Sequence, residues 1–577
     1  MGWKSTAFKQ TRVMLRPVLL LLAIFPKLEA VNHVDSVLVD HAYLRKAHPL
    51  YDKGTIHLYL KNLTNKEITI ENIWLNNIPL ENLPNDLVLW WQVSPNPIPP
   101  FKLGDISIKL REFKSLPLQI KIKTSNGQLI EKDIPTSPPL IKVTSVSFNQ
   151  ALDRIYLYIE NSGNKVLNIN KVFLNGEDVS ESLLTPWRQL AKRNKDCLII
   201  KPKEKLKQGE YVTVKVETEE GEVAEATVRV FSFFPISSWD GDTREQLNFD
   251  PSPFLLPYSE NPAKLDENMR TQPPYMVYCL VDNPAGDDLR NASESNKEVP
   301  QELFIGSSGM KISTYREECY HYDHLHPTAI CLRDSGKFFA YFVYGELTDA
   351  LIIHPCENVF YLHRPIRDGY LTALAKLASE PRPLYVLPEA FRAVGRCGAS
   401  PRYPTPEELR LILYYEIAEG AKGVLYYKQS GPEGYGANPL LEKEIGRLNG
   451  ELRRLKDFLR IGEPIPLVDS SNTQVEAYSL LCGDKAIVLI LINHEYNSNF
   501  VSGSKPFTYK AQKNFALTVR IPSWLKVNQV YEVAEGGNIV PLRYRMLANR
   551  RLLLYIKELK LTKQIVIETM IYKEGEQ

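Results

Sequence analysis

The chain changes its hydrophobic rhythm twice. Between residues 31 and 228 apolar and polar positions alternate, as in Ile56-His-Leu-Tyr-Leu-Lys-Asn62 and Ile155-Tyr-Leu-Tyr-Ile-Glu-Asn161. A period of two closed by Asn and Gly predicts strands with one buried face. The two segments lie 99 positions apart, and at the same offset Ile70, Ile73, Leu75 and Asn76 meet Ile169, Val172, Leu174 and Asn175. Leu118–Gly127 likewise echoes Val212–Gly221. The repeat predicts two immunoglobulin-like β-sandwiches, 31–138 and 139–228, joined at Pro135 to Pro139.

From Val228 onward short apolar runs alternate with helical stretches. The runs Val228–Ile236, Met276–Val281, Thr328–Leu332, Ala350–Ile353, Leu384–Leu387 and Gly423–Tyr427 predict six strands. Helices are expected over 299–322, 368–379, 405–421 and 438–461. The third has Thr405 as N-cap, Pro406 at the first position and Glu407 and Glu408 in the first turn. Such alternation predicts βα units and a parallel sheet. Residues 241–274 carry almost no apolar run where two further units belong. The expectation for 229–464 is therefore a distorted or incomplete (β/α)8 barrel. Period two returns over 465–577 and predicts a terminal β-sandwich. The whole is a multidomain α/β plus all-β chain.

Function in such barrels collects at the C-terminal ends of the strands. One run ends in Pro388-Glu389, and another in Asp282-Asn283-Pro284. The remaining composition narrows the field. The net charge of +2 sets up no field that would draw nucleic acid or an anionic membrane. Residues 1–30 read as a secretory signal, with Lys4, Lys9, Arg12 and Arg16 ahead of the apolar run Pro17–Phe25 and a cleavage site at Leu28-Glu-Ala30. That run is too short to span a bilayer, and no other segment is long and apolar enough. The expected location is secreted, periplasmic or cell-surface. The 7 cysteines form no CxxC, and an odd number rules out complete internal pairing. Their expected state is mostly buried free thiols.

Several local matches resemble secreted glycoside-hydrolase-like proteins of the retaining, β-galactosidase-like superfamily. Ala418-Glu-Gly-Ala-Lys-Gly423-Val-Leu-Tyr-Tyr resembles the turn that feeds strand eight of such barrels. Leu448–Leu459 resembles the helix that follows it. Asp323-His-Leu-His-Pro-Thr328 resembles the approach to strand five. The resemblance implies an acid/base glutamate after strand four and a nucleophilic glutamate after strand seven. Counting back from strand eight puts Glu389 at the nucleophile position and Met276–Val281 at strand four. There relatives have Asp-Glu-Pro, whereas this chain has Asp282-Asn283-Pro284.

Glycosidic cleavage needs one carboxylic acid on the leaving oxygen and one carboxylate to attack or to activate water. Asn283 cannot serve as that acid, which leaves Asp282 as the proton donor if it reaches inward. Two readings stay open. One is retaining O-glycosyl hydrolysis with Glu389 as nucleophile and Asp282 as acid/base. The other is a catalytically inactive barrel serving as a carbohydrate-binding or cell-surface scaffold protein. Asn283, Trp239, His354, Glu357 and Tyr426 are the expected substrate contacts, with Trp239 as a stacking platform past its strand. Asp349 reads as a structural loop residue. His321, His324 and His326 lack the spacing of a helical metal site. No phosphate loop, nucleophile elbow or dinucleotide fingerprint appears. The expected partner is an oligo- or polysaccharide, with no metal, no organic cofactor and no nucleic acid.

Overall fold

The computed structural model describes residues 36–48, 52–82, 87–111, 118–135, 138–239, 244–250, 255–256, 277–279, 320, 325–333, 339–354, 364–388, 390–392, 402–426, 431–432, 434–497 and 507–572. The alternation near the N-terminus folds into two sandwiches. In the first, strands Val37–Arg45, Thr55–Asn62, Leu103–Leu110 and Val88–Ser94 pair in that order, opposite Ile78–Pro79, Ile70–Leu75, Leu118–Thr124 and Leu129–Ile134. Ile56, Leu58 and Leu60 turn inward onto Ile106, Ile108, Ile120 and Ile122. In the second, Ile155–Asn161 lies between Asn194–Ile200 and Ile141–Phe148. Its core is separate, built on Ile155, Leu157 and Ile159.

The expected strand Val228–Ile236 is instead divided. Val223–Arg229 is the last strand of the second sandwich, paired with Tyr211–Thr218. The next strand begins only at Ile236. Pro235, with no N–H to give a ladder, separates the two.

The central sheet contains β1 (Ile236–Ser238), β2 (Leu255–Leu256), β3 (Val277–Cys279), β4 (Thr328–Arg333), β5 (Ala350–His354), β6 (Leu384–Val386) and β7 (Val424–Tyr426). All pairings are parallel, in the order β1-β7-β6-β5-β4-β3-β2. The first strand therefore lies beside the last. The described strands number seven, not the expected six, because Leu255–Leu256 is too short to carry a period.

Four described helices follow: α1 (Phe339–Tyr344), α2 (Arg364–Ser379), α3 (Pro406–Ala418) and α4 (Pro439–Leu459). The expected start of α3 is present as a full capping box. Glu408 N–H donates to Thr405 Oγ1 and Thr405 N–H to Glu408 Oε2. The expected helix over 299–322 falls almost wholly outside the described residues.

Burial divides the sheet into two faces, as strand alternation requires. Leu351, Ile353, Leu384, Val386, Val424 and Tyr426 share a core with all four helices. Ala329, Cys331, Ile352, Tyr385, Leu387 and Leu425 form a second cluster on the opposite face, edged by Phe231 and Trp239. The C-terminal module has a six-stranded and a four-stranded antiparallel sheet. Its strand Ala486–Asn493 is buried along its whole length and joins the core beneath α3 and α4.

Candidate functional site

Parallel strands all end at one edge, so that edge gathers whatever follows β1, β3, β5, β6 and β7. His354 closes β5 opposite Arg333 and is 2% exposed. By alternation it shares the face of Ile352, away from the helices. The ring of Phe391, just past β6, lies 5.9 Å from it. Trp239 extends β1, its N–H donating to Tyr426 O at 2.8 Å. The indole is half-buried at the margin of the Cys331–Tyr385–Leu425 cluster. His354 thus lies at the tip of its strand, while Trp239 continues the β1 pairing instead of standing in a polar loop.

Tyr426 does not stand with them. It is fully buried among the sheet-to-helix contacts, 5.8 Å from the Phe249 ring, and burial holds its hydroxyl well above the ordinary tyrosine range. Positions 424 and 426 face the helices, so Tyr426 packs the core instead of meeting a ligand at the rim. Glu389, Asp282, Asn283 and Glu357 lie outside the described residues.

The opposite edge is a network of charges that sequence reasoning did not find. Asp349, just before β5, accepts from Thr328 N–H (2.9 Å), Thr328 Oγ1 (3.0 Å), Arg229 (3.2 Å) and the Tyr211 hydroxyl (3.2 Å). It pins the start of β4 and ties the second sandwich to the sheet, a structural role as its loop position implied. Glu346, three residues earlier, is paired with Arg45 of the first sandwich. Its other oxygen lies 3.6 Å from His57 Nε2.

His57 Nδ1 is in turn 3.2 Å from Asp105, which also accepts from Ser107 at 2.9 Å. Burial opposes a charge on His57, but Asp105 and Glu346 outweigh it and raise the pKa. Burial also works against the Glu346 carboxylate, but Arg45 and His57 hold it well below the usual range. Ser107, His57 and Asp105 do not form a nucleophilic relay, because serine and aspartate both address Nδ1. A cavity of about 250 Å³ adjoins this network, lined by Tyr43, Tyr59, Lys142, Glu225 and Glu380 among others.

The only sequence signal for this network was the outward position of His57 and Tyr59 on an alternating strand. The partner of His57, Glu346, is far away in the chain. Among the described residues no group of three or more His, Cys, Asp or Glu is placed to hold a metal. No described helix is long and apolar enough to cross a membrane. Cys197, Cys331 and Cys482 are buried free thiols.

No family model matches the chain, and no curated protein matches it. Among solved structures it is similar to a Paenibacillus cycloisomaltooligosaccharide glucanotransferase complexed with cycloisomaltoheptaose, at 8% identity over 74% of this chain and 100% of that one, with a TM-score of 0.37. A GH2 β-galacturonidase from Eisenbergiella tayi, bound to galacturonate, matches at 9% identity over 69% and 89%, TM-score 0.21. A β-glucuronidase from Bacteroides uniformis matches at 8% over 90% and 76%, TM-score 0.23. Likeness at this level defines neither a family nor an activity.

Proposed function

We propose that this is an exported protein whose central sheet is a curled, incomplete (β/α) barrel acting on carbohydrate at its C-terminal edge. The observation that carries the reading is the strand order, with β1 beside β7 and β2 at the far end. Chain length supports the curl. Ile236 in β1 and Asp250 exchange two hydrogen bonds, each 2.8 Å. Leu255 in β2 follows Asp250 by five residues, at most ~18 Å of chain. Adding a hydrogen-bonded pair of ~5 Å still falls short of the ~29 Å that six strand spacings would demand of a flat sheet. Placement of all four described helices on one face agrees with single winding.

On this reading β3 and β6 deliver the positions that follow them, Asp282 and Glu389, to a common rim beside His354 and Trp239. Glu389 attacks the anomeric carbon as the glycosidic bond breaks and Asp282 protonates the leaving oxygen; Asp282 then deprotonates a water that attacks the same carbon and releases Glu389. Retention requires carboxyls roughly 5–5.5 Å apart. A second reading, binding without cleavage, is favoured by one particular feature. Asn283 stands where the resembling barrels place their acid.

The test is a panel of aryl glycosides with the full chain, E389Q and D282N. Hydrolysis that falls by about 10²–10⁴ in both variants supports the pair. Unchanged turnover in E389Q removes it. If the unmodified chain turns over nothing yet is protected from heat by an oligosaccharide, the binding reading replaces the hydrolytic one.

A further inference from the structure

The outer face of the four-stranded C-terminal sheet collects positive charge with few partners in the fold. This sheet orders β8 (Val468–Ser470), β9 (Gln512–Arg520), β11 (Arg551–Leu559) and β10 (Tyr544–Leu547), with β10 at the edge. Phe515, Leu517, Val519, Leu552, Leu554 and Ile556 are buried inward. The alternate positions point away from the core. Pairing places Arg520 opposite Arg551, Arg545 opposite Leu553, and Ala516 opposite Tyr555.

Arg520, Arg545, Arg551 and Lys557 are exposed, and Tyr555 is 74% exposed in their midst. Adjacent strands lie ~4.8 Å apart and same-face neighbours on one strand ~6.7 Å apart. Arg551 therefore lies ~5 Å from Arg520 and ~8 Å from Arg545 across the sheet, while Lys557, beyond Tyr555, is ~14 Å from Arg545. Arg520 gives one N–H to Pro466 O, and Arg545, Arg551 and Lys557 have no ion-pair partner among the described residues. The one acid on the same face of these four strands is Asp469, across from Thr518 on the far edge strand. Like charges directly opposite one another destabilise a sheet. A face that keeps Arg520 against Arg551, with an uncovered tyrosine beside them, departs from what folding alone favours.

We propose that this face binds an anionic polysaccharide, with Arg545 and Arg551 forking onto carboxylate or sulfate groups and Tyr555 lying against the C–H face of a sugar ring. The proposal goes beyond the barrel reading and does not depend on it. Guanidinium is the side chain suited to two-point contact with such groups. A tyrosine offers a flat apolar ring with a wet edge. The alternatives fit less well. Single-strand nucleic-acid platforms stack successive bases on several aromatics and sit in strongly basic domains, whereas this face has one ring and the chain a net charge of +2. A membrane-binding face needs a broad apolar band beside its cations, and here Ala516, Leu547 and Leu553 on this face are half-buried, while the exposed Tyr544 and Met546 alternate with Arg545 onto the other side of β10.

The experiment is affinity electrophoresis of the full chain through gels holding polygalacturonate, dextran sulfate or neutral dextran. Single-stranded DNA and vesicles of anionic phospholipid serve as competitors. The charged glycans should retard the chain and dextran should not, with retardation fading as salt rises. R545A/R551A should raise the dissociation constant at least tenfold, and Y555A severalfold with the salt dependence unchanged. R545K/R551K should recover part of the binding. Every substituted side chain in the face is exposed, so unchanged melting temperatures are expected. Absence of retardation by both charged glycans, or equal retardation of R545A/R551A, overturns the proposal. So does tighter binding of the DNA or of the vesicles.

Discussion

Asn62 and Asn161 make the same closure in two different sandwiches. Each is fully buried at the end of an interior strand of its sheet. The Asn62 amide donates to Lys66 O (2.7 Å), Ile98 O (3.1 Å) and Pro99 O (3.1 Å), while its oxygen accepts from Thr64 N–H at 2.9 Å. The Asn161 amide donates to Lys165 O (2.7 Å), Leu190 O (3.3 Å) and Ala191 O (3.1 Å), and its oxygen accepts from Gly163 N–H at 2.9 Å. Asn493 repeats the device in the C-terminal module, donating to Lys510 O and Lys560 O and accepting from Glu495 N–H. One primary amide satisfies loop carbonyls that no ladder reaches, and only asparagine offers both donors and an acceptor at that length.

The substitution Asn161→Asp separates the two halves of that role. The acceptor survives, but the donor turns into an oxygen facing three carbonyls. Leaving buried carbonyls unpaired costs about 1–3 kcal/mol, and more for a buried charge. Urea denaturation should show the second sandwich losing about 3 kcal/mol, with N62D doing the same to the first. A loss under about 0.5 kcal/mol in both would show that water replaces the amide.

How far the sequence was legible follows from the range of each signal. The repeat could be read because strand period, terminal asparagine and left-handed turn residue are local. Asn76 and Asn175, 99 positions apart, adopt φ of 50° and 52°. The α3 cap could be read for the same reason. Leu255–Leu256 could not, since two residues show no period, and α1 lies in an aromatic run whose spacing favours neither helix nor strand. At Tyr426 alternation outweighs nearness to the rim, since it turns 424 and 426 toward the helices. The His57–Glu346 contact was out of reach, because a buried charge is recognised by its partner and that partner belongs to another module.

Asp349 supports three separate elements, and its partner Arg229 is equally enclosed, with side chains 2% and 1% exposed. Removing one member of a buried pair strands the other, at a cost of about 3–5 kcal/mol. D349A should therefore expose the link between the second sandwich and the central sheet to limited proteolysis well before the sandwich itself unfolds. D349N, which keeps the acceptor for Thr328 but loses the charge, should fall between. Equal protease resistance in all three proteins would show that Asp349 does not join the modules.

Glu463 contributes to stability at acid pH. Burial pushes its pKa up, but Lys376 at 3.0 Å and Lys422 at 3.2 Å prevail and hold it at about 2. A carboxyl depressed in the folded state contributes stability that is present above its unfolded pKa near 4.5 and is lost as pH falls toward 2. E463Q should destabilise the chain at pH 7 by a few kcal/mol and flatten the stability profile between about pH 4.5 and 2. A variant whose profile falls as steeply as the parent's would show that Glu463 contributes nothing to acid stability.

Glu419, just past α3, works in the opposite direction. Burial lifts its pKa to about 7, with Glu476 adding to the effect. A carboxyl raised in the folded state binds its proton more tightly there than in the unfolded chain. Its stabilising contribution is whole below the unfolded pKa near 4.5 and disappears as pH climbs to about 7. At neutral pH the fold must carry a poorly solvated carboxylate or a proton taken up at a cost. E419Q removes that charge while keeping the shape, so the melting temperature should rise at pH 7.5 and change little at pH 4.5. The gain should be on the order of 2 kcal/mol. The cross-check is E476Q, which should recover only the smaller part by relieving the neighbouring charge. If E419Q stabilises equally at both pH values, packing and not ionisation is responsible; if it destabilises at pH 7.5, Glu419 is held charged by a partner that burial does not defeat.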